Sequence, residues 1–205
     1  LVAQERITTA GFESTCIPEP VVWAYGPLLP SPKQTDQVQT RSERIQDAVS
    51  AFGVDDFESA LRAARPDLVV VDSELHAHIL VALSLGVAVA QAHNMYISPP
   101  SLRAPPLHKH SVPGSGFWGS TVGVGLLWTQ HFAHKASRIL KNKYRFRSAD
   151  FPTALAALAR SLYLDLTALR RFKCWQYPWT YRIPTLLFLP RALDLPSPPY
   201  DDMFY

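Results

Sequence analysis

The fold is decided by residues 65–93, which read RPDLVVVDSELHAHILVALSLGVAVAQAH. Two runs in this stretch do not alternate between apolar and polar residues: 68–71 is wholly apolar and 87–92 is almost wholly apolar, which is typical of parallel strands covered on both faces. The residues between them, 74–85, have helical length and composition, and Gly86 is placed to end the helix. The stretch therefore predicts a β-α-β unit with short connections, its two strands being central neighbours in a parallel sheet.

Polar residues follow both predicted strands. Asp72 closes the first apolar run, and His93 and Asn94 close the second. Because the two strands are parallel, their carboxyl ends lie at one edge of the sheet, where open α/β sheets bind ligands. We expect Asp72 and His93 to lie together on this edge with Asn94 beside them, and His76 on the intervening helix to line the same cleft.

The rest of the chain continues the α/β pattern. Apolar spacing predicts helices at 1–9, 42–52, 55–65, 120–141 and 152–171, and short strands at 12–17 and 185–189. Asp55 or Asp56 is expected to cap the third of these helices. A Pro- and Gly-rich loop at 98–115 is of a kind that is often functional. We interpret 1–195 as one Rossmann-like domain, a parallel sheet with helices on both faces, and the Pro-rich 196–205 as the start of an interdomain linker.

Composition excludes several classes of protein. The 205 residues are 47% hydrophobic with a formal net charge of +3, which argues for a globular chain rather than a disordered one. The only local basic run is 141–147, so nucleic acid is not expected as a partner. The longest apolar stretch, 117–128, is shorter than the roughly 18 residues of a membrane-spanning helix. Cys16 and Cys174 are interpreted as buried thiols, which indicates a reducing, cytoplasmic location.

The spacing of the histidines in the sequence does not predict a metal site. His76 and His78 are two residues apart on a predicted helix and therefore point to different faces. His131 and His134 are three residues apart and can share a face, but no carboxylate or thiol lies near them in the sequence. A packed or solvated pair is favoured over a zinc site, and we expect neither zinc nor magnesium to bind.

Both ends of the sequence look interrupted. Residues 1–9 read as the middle of a helix without an N-cap, and 203–205 read as the opening of a strand. We therefore expect the natural chain to extend beyond these residues in both directions. Missing first strands should leave an unfilled position beside the strands at 68–71 and 87–92 and expose apolar surface there.

The order of these elements resembles the N-terminal domain of the UDP-sugar-dependent glycosyltransferases with the GT-B fold. Four passages carry the resemblance: TAGFE (9–13) with IP (17–18), RPDLVVVD (65–72), LGVAVA (85–90) and LPRALDLP (189–196). Their order and spacing cover nearly the whole chain. The joint match carries more weight than any single passage, since strands of the Pro-Asp-hydrophobic kind recur in many Rossmann-like proteins.

The resemblance implies the acceptor-binding half of a hexosyltransferase, which moves a hexose from a nucleotide sugar to a hydroxyl of a small lipophilic acceptor or a lipid. In that family a His at the end of the first strand deprotonates the acceptor, and an Asp at the end of a later strand often orients that His. Asp72 matches this Asp. The base and the donor site would lie outside these residues, and no cofactor is implied. A lipid acceptor would bring peripheral contact with a membrane.

Alternatives remain open for the residues and for the chain. Asp72 is equally explained as a cap of the helix that follows it. Phe117 and Trp118 are candidates for the wall of the acceptor pocket, while aromatic residues at these spacings are also typical of a core. The chain as a whole has a rival interpretation as a non-catalytic Rossmann-like protein that binds a ligand or assists another protein.

Overall fold

A computed structural model describes residues 2–11, 13, 40–94, 100–106, 108–147, 150–170, 181–188 and 201–204. The helices in these ranges are α1 (Val2–Thr9), α2 (Arg41–Ser50), α3 (Val54–Ala64), α4 (His76–Ser84), α5 (Gly116–Gly119), α6 (Thr121–Arg145), α7 (Phe151–Ser161) and α8 (Leu166–Leu169). The strands are β1 (Leu68–Asp72), β2 (Ala88–His93), β3 (Thr185–Leu187) and β4 (Met203–Phe204). The predicted strand at 12–17, both cysteines and the motif at 189–196 lie outside the described residues.

The strands form one parallel sheet in the order β1-β2-β3-β4. β1 and β2 are parallel neighbours, as predicted, and their register places Val71 opposite Gln91 and Asp72 opposite Ala92. The expected central position is confirmed for β2, whereas β1 is the edge strand of the sheet that the described residues form, next to the position expected to be unfilled. The architecture is a mixed α/β fold, consistent with a Rossmann-like arrangement.

One face of the sheet carries the hydrophobic core. Side chains alternate between faces along each strand, so the register puts Val71, Gln91 and Thr185 on the same face. Val71 and Val89 belong to a core that also draws residues from α2, α3, α4 and α7. Its fully buried members include Phe52, Ile79, Leu80 and Leu155.

The opposite face is open along β1. Leu68 and Val70 point away from the core face and are more than half exposed. The apolar run of β1 is therefore covered on one face only, and the expected exposure of apolar surface beside this strand is confirmed. Cover of a sheet face depends on which helices or loops pack against it, and the apolar run by itself does not specify them.

The start of α3 differs from the prediction. Gly53 precedes the helix with a left-handed φ of 62°, and no side chain caps its first N–H groups. Asp55 and Asp56 lie inside the first turn instead of before it. There their negative charges still favour the positive end of the helix dipole.

The helix predicted over 152–171 is two helices, α7 and α8. Tyr163 adopts a left-handed φ of 58°, which a continuous helix does not allow. Asp165 then caps α8, because its Oδ1 accepts a hydrogen bond of 2.8 Å from the Thr167 N–H. The prediction counted apolar spacing and missed the cap signal at Asp165.

The end of the described chain belongs to the sheet. Met203 pairs with Thr185 and Phe204 with Leu186, both in parallel register. The strand predicted to open at 203 is thus confirmed, and it is parallel to β3 in the same sheet. Among the described helices, none is long and apolar enough to cross a bilayer.

A tight corner joins α5 to α6. Ser120 caps α6 by accepting a hydrogen bond of 3.2 Å from the Gly123 N–H. Gly123 lies so close to the Phe117 carbonyl that a Cβ there would collide with it. On the inner side of α6, Trp128 is buried and its Nε1 donates to the Ala104 carbonyl at 2.9 Å. This hydrogen bond attaches the loop before α5 to the helix.

Candidate functional site

The candidate site is the sheet edge where β1 and β2 end. The Ser73 N–H donates to the Ala92 carbonyl at 2.8 Å, which extends the strand pairing by one residue beyond Asp72. The carbonyl of His93, the next residue of β2, accepts a hydrogen bond of 3.0 Å from the N–H of Phe188, which directly follows β3. Three strands therefore fix the backbone of this edge.

Ser73 and His93 form the closest side-chain pair at the edge. The Ser73 Oγ lies 2.5 Å from His93 Nδ1. Ser73 is buried, while His93 remains partly exposed. The hydroxyl thus orients an imidazole whose other nitrogen, Nε2, points away from Ser73. Such a pair can hold the imidazole in one orientation toward a ligand hydroxyl, with the serine hydroxyl donating to Nδ1 or accepting from it according to the tautomer.

Asp72 lies at the same edge but has a different partner. Its Oδ1 accepts a hydrogen bond of 2.8 Å from the Glu74 N–H, and its side chain is exposed. In the register it is opposite Ala92, so it points to the other face of the sheet from His93. The prediction that Asp72 and His93 share an edge is confirmed. The side chain within hydrogen-bonding distance of the His93 ring, however, is that of Ser73.

Sequence reasoning missed Ser73, although a signal for it exists. Residues two apart in an extended segment point to the same face of the sheet. Ser73 is therefore on the face of Val71, and His93 is on the face of Gln91. Since Val71 and Gln91 are opposite each other, the next residues on that face, Ser73 and His93, can meet. Counting by two finds the pair once the register of β1 and β2 is known, and that register comes from the structure.

His76 does not line a cleft. It is buried at the start of α4, with its ring 5.9 Å from the ring of Phe151 and 5.9 Å from that of Tyr181. Burial, with the positive charge of Arg170 second, lowers the pKa of His76 to about 3. The side chain is therefore neutral at ordinary pH and belongs to the core beneath the edge.

His78 is also buried, but against different residues from His76. Its ring packs edge-on against the ring of Phe57, with 4.8 Å between the ring centroids. Burial lowers the pKa of His78 as well. His76 and His78 thus point to different faces of α4, as the spacing predicted.

A buried polar pair ties β2 to β3 under the site. Gln91 Nε2 donates to Thr185 Oγ1 at 2.7 Å, and the Thr185 hydroxyl donates to the Ile183 carbonyl at 3.1 Å. Both residues are fully buried. Because a buried polar group is costly unless it is hydrogen-bonded, the bond from Gln91 Nε2 stabilises the pairing of β2 with β3 two residues before His93.

The other predicted ligand-binding residues lie in two places. Asn94 directly follows β2 and is exposed, so it is next to His93 at the edge. Phe117 and Trp118 are on α5, more than half exposed, with their rings 5.1 Å apart. The alternative that these two aromatics are core residues is wrong, and their role in binding an acceptor stays a prediction. Trp128, by contrast, is a core residue.

His131 pairs with a histidine of the loop. Its ring lies 4.8 Å from that of His108 and 5.6 Å from that of Trp128. Burial, together with the neighbouring charge of Lys135, lowers the pKa of His131 to about 4. Across the described ranges no group of three or more His, Cys, Asp or Glu side chains is arranged to hold a metal ion.

Comparison of the chain with protein-family models, with curated proteins and with solved structures gives no significant match.

Proposed function

We propose that the chain forms the acceptor-binding half of a glycosyltransferase that moves a hexose from a nucleotide sugar to a hydroxyl of a small lipophilic acceptor. The motif resemblance suggests this activity. The structural observation that supports it best is the carboxyl edge of the parallel sheet, which carries the exposed carboxylate of Asp72 on one face and the Ser73–His93 pair on the other. Open α/β sheets bind their ligands at this edge.

The proposed roles follow from the chemistry of the transfer. A base removes the proton of the acceptor hydroxyl while its oxygen bonds to the sugar carbon and the nucleotide leaves with the electrons of the broken bond. By the resemblance, Asp72 orients that base, which a segment outside the described residues would supply. His93 and Asn94 hydrogen-bond the acceptor, and Phe117 and Trp118 contact its apolar part. A second domain would bind most of the nucleotide sugar.

The test uses the complete protein that contains this chain. It is incubated with radiolabelled UDP-hexoses and a panel of phenols, sterols and lipid alcohols, and the products are separated by chromatography. We expect labelled glycoside with at least one acceptor class. Absence of both glycoside and donor hydrolysis across the panel would overturn the proposal.

One contact favours a second candidate function. The bond from the Glu74 N–H to Asp72 Oδ1 is a local turn interaction, which the carboxylate makes without any catalytic role. In that case the chain is a Rossmann-like protein that binds a ligand without chemistry. Calorimetry that detects acceptor binding by the complete protein, together with no transfer from any UDP-hexose, would support this second function.

A further inference from the structure

Helix α6 has apolar side chains on two opposite faces. Val124, Leu127 and Trp128 are buried and form its inner face. At about 100° per residue, these three side chains lie within an arc of about 100°. The inner face is already used, because it packs toward the loop that Trp128 holds through the Ala104 carbonyl.

The second apolar face is exposed. Val122, Leu126, Ala133, Leu140 and Tyr144 fall within an arc of about 40°, on the side of the helix opposite the inner face. We call these five residues the outer stripe. Its four large members are between 50% and 90% exposed. An apolar stripe of this length on a helix surface is a common mark of an interaction site.

Cations flank the outer stripe. Lys141 and Lys143 lie about 80° to either side of its centre, and both are exposed. Arg145 is exposed one residue beyond the last member of the stripe. The sequence of α6 contains no Asp or Glu. This face of the helix is therefore apolar along its middle and positive along its margins toward the C-terminal end.

Aromatic residues stand at both ends. Tyr144 closes the outer stripe, and the exposed rings of Phe117 and Trp118 lie on α5, just before α6 begins. Trp and Tyr are the side chains that favour the interface between lipid and water, because each has an apolar ring and a polar atom. Their positions fit a helix that lies flat on a membrane.

We propose that the outer stripe of α6 docks the protein on the surface of an anionic lipid bilayer. An apolar stripe flanked by lysines is the pattern of a helix that lies in the plane of the interface, with its cations on the lipid headgroups. The absence of acidic residues from α6 favours an anionic surface over a second copy, whose own α6 would present the same positive charges. The inference does not rest on the proposed transferase activity, because binding is measured without catalysis.

The first experiment removes the cations. The full chain is sedimented with phosphatidylcholine vesicles that contain or lack phosphatidylserine. We expect binding to the anionic vesicles that weakens as salt is added. Lys141→Gln with Lys143→Gln should reduce the partition coefficient by about 25-fold, since each cation at the surface contributes about 5-fold. Arg103→Gln with Arg182→Gln removes the same charge from exposed positions elsewhere and should change binding much less.

The second experiment removes apolar contacts without changing charge. Leu140→Ser with Tyr144→Ser should abolish binding to anionic vesicles. Tyr163→Ser is the control, because Tyr163 is as exposed as Tyr144 but lies after α7. All replaced side chains are exposed, so the helical content and melting temperature of the variants should match those of the unmodified chain.

Three results would overturn the proposal. The first is no binding of the unmodified chain to anionic vesicles. The second is an equal loss of binding in the lysine variant and in its arginine control, which would make the attraction one of net charge alone. The third is a dimer in sedimentation velocity that the Leu140→Ser, Tyr144→Ser variant dissociates while vesicle binding is unchanged, which would show that a second copy covers the stripe.

Discussion

Ser73 and His93 meet across the carboxyl edge of the sheet, with the serine Oγ 2.5 Å from Nδ1 of the imidazole. The backbone bond of 2.8 Å from the Ser73 N–H to the Ala92 carbonyl holds the two residues at this separation. Because the hydroxyl engages Nδ1, we expect Nε2 to be the ring atom that meets a bound hydroxyl group. The predictions below begin with this pair.

Ser73→Ala should change the surroundings and orientation of the His93 ring without unfolding the chain. Loss of one hydrogen bond costs about 1 kcal/mol of folding stability, and the ring loses the hydrogen-bond partner of Nδ1. The ring ¹⁵N shifts of His93, measured by NMR, report the change. Ser84→Ala is a matched control, since the Ser84 hydroxyl donates to the Val81 carbonyl at 2.8 Å. Unaltered His93 shifts in Ser73→Ala would show that the pair has no orienting role.

Asp72→Asn should lower turnover of the complete enzyme by about 100-fold to 10,000-fold, the usual cost of losing a well-placed base or its orienting carboxylate. Asn keeps the shape and still accepts the bond from the Glu74 N–H, so the melting temperature should change little.

Asp165→Asn provides the control for this substitution. Asp165 also accepts a bond of 2.8 Å from the N–H two residues ahead, that of Thr167. Steady-state kinetics of Asp72→Asn and Asp165→Asn show whether Asp72 has a role in turnover beyond its local hydrogen bond. Normal turnover in Asp72→Asn would leave Asp72 with a purely local role in the turn.

The chain by itself should show no measurable glycosyl transfer. Base catalysis and proximity both require groups that the proposal places outside these residues. The purified chain is incubated with the labelled UDP-hexoses and acceptors used for the complete protein. Turnover of any UDP-hexose by the purified chain, with contaminating enzymes excluded by a mock preparation, would contradict the division of labour proposed above.

Acid should destabilise the fold through His76. Its pKa in the folded state is about 3, lowered first by burial and then by the charge of Arg170, against about 6.5 in an unfolded chain. The unfolded state therefore binds more protons between these two values. The contribution to stability is fully present above about pH 6.5 and is lost as the pH falls toward 3.

Urea unfolding at about pH 7.5 and about pH 5 measures this effect. A single histidine with these two pKa values lowers the free energy of unfolding by about 2 kcal/mol between about pH 7.5 and about pH 5. His76→Asn should be less stable at both pH values but should lose the part of the pH dependence that His76 supplies. His134→Asn, at an exposed position of α6, is the control and should keep the full pH dependence. If the stability of His76→Asn depends on pH in the same way as that of the unmodified chain, the loss of stability in acid does not come from His76.

The sequence by itself determined the local elements around the site. The apolar runs of β1 and β2, the helix between them and the stop at Gly86, whose φ is 72°, all follow from short-range patterns. Such patterns work because strand alternation, helical spacing and the conformational freedom of glycine act within a few residues. They also placed Asp72, His93 and Asn94 at one edge, since the carboxyl ends of two parallel strands lie at the same edge of a sheet.

Tertiary structure alone decided what those residues touch. The same apolar run can be covered on two faces or on one, and in the structure Leu68 and Val70 are on the face that is left exposed. His76 is in the core because Phe151 and Tyr181, far away in the sequence, pack against it. Burial is a property of distant segments that meet, so a single window of sequence does not specify it. For the same reason α6 reads as an ordinary amphipathic helix until its neighbours show that one apolar face is buried and the other is exposed.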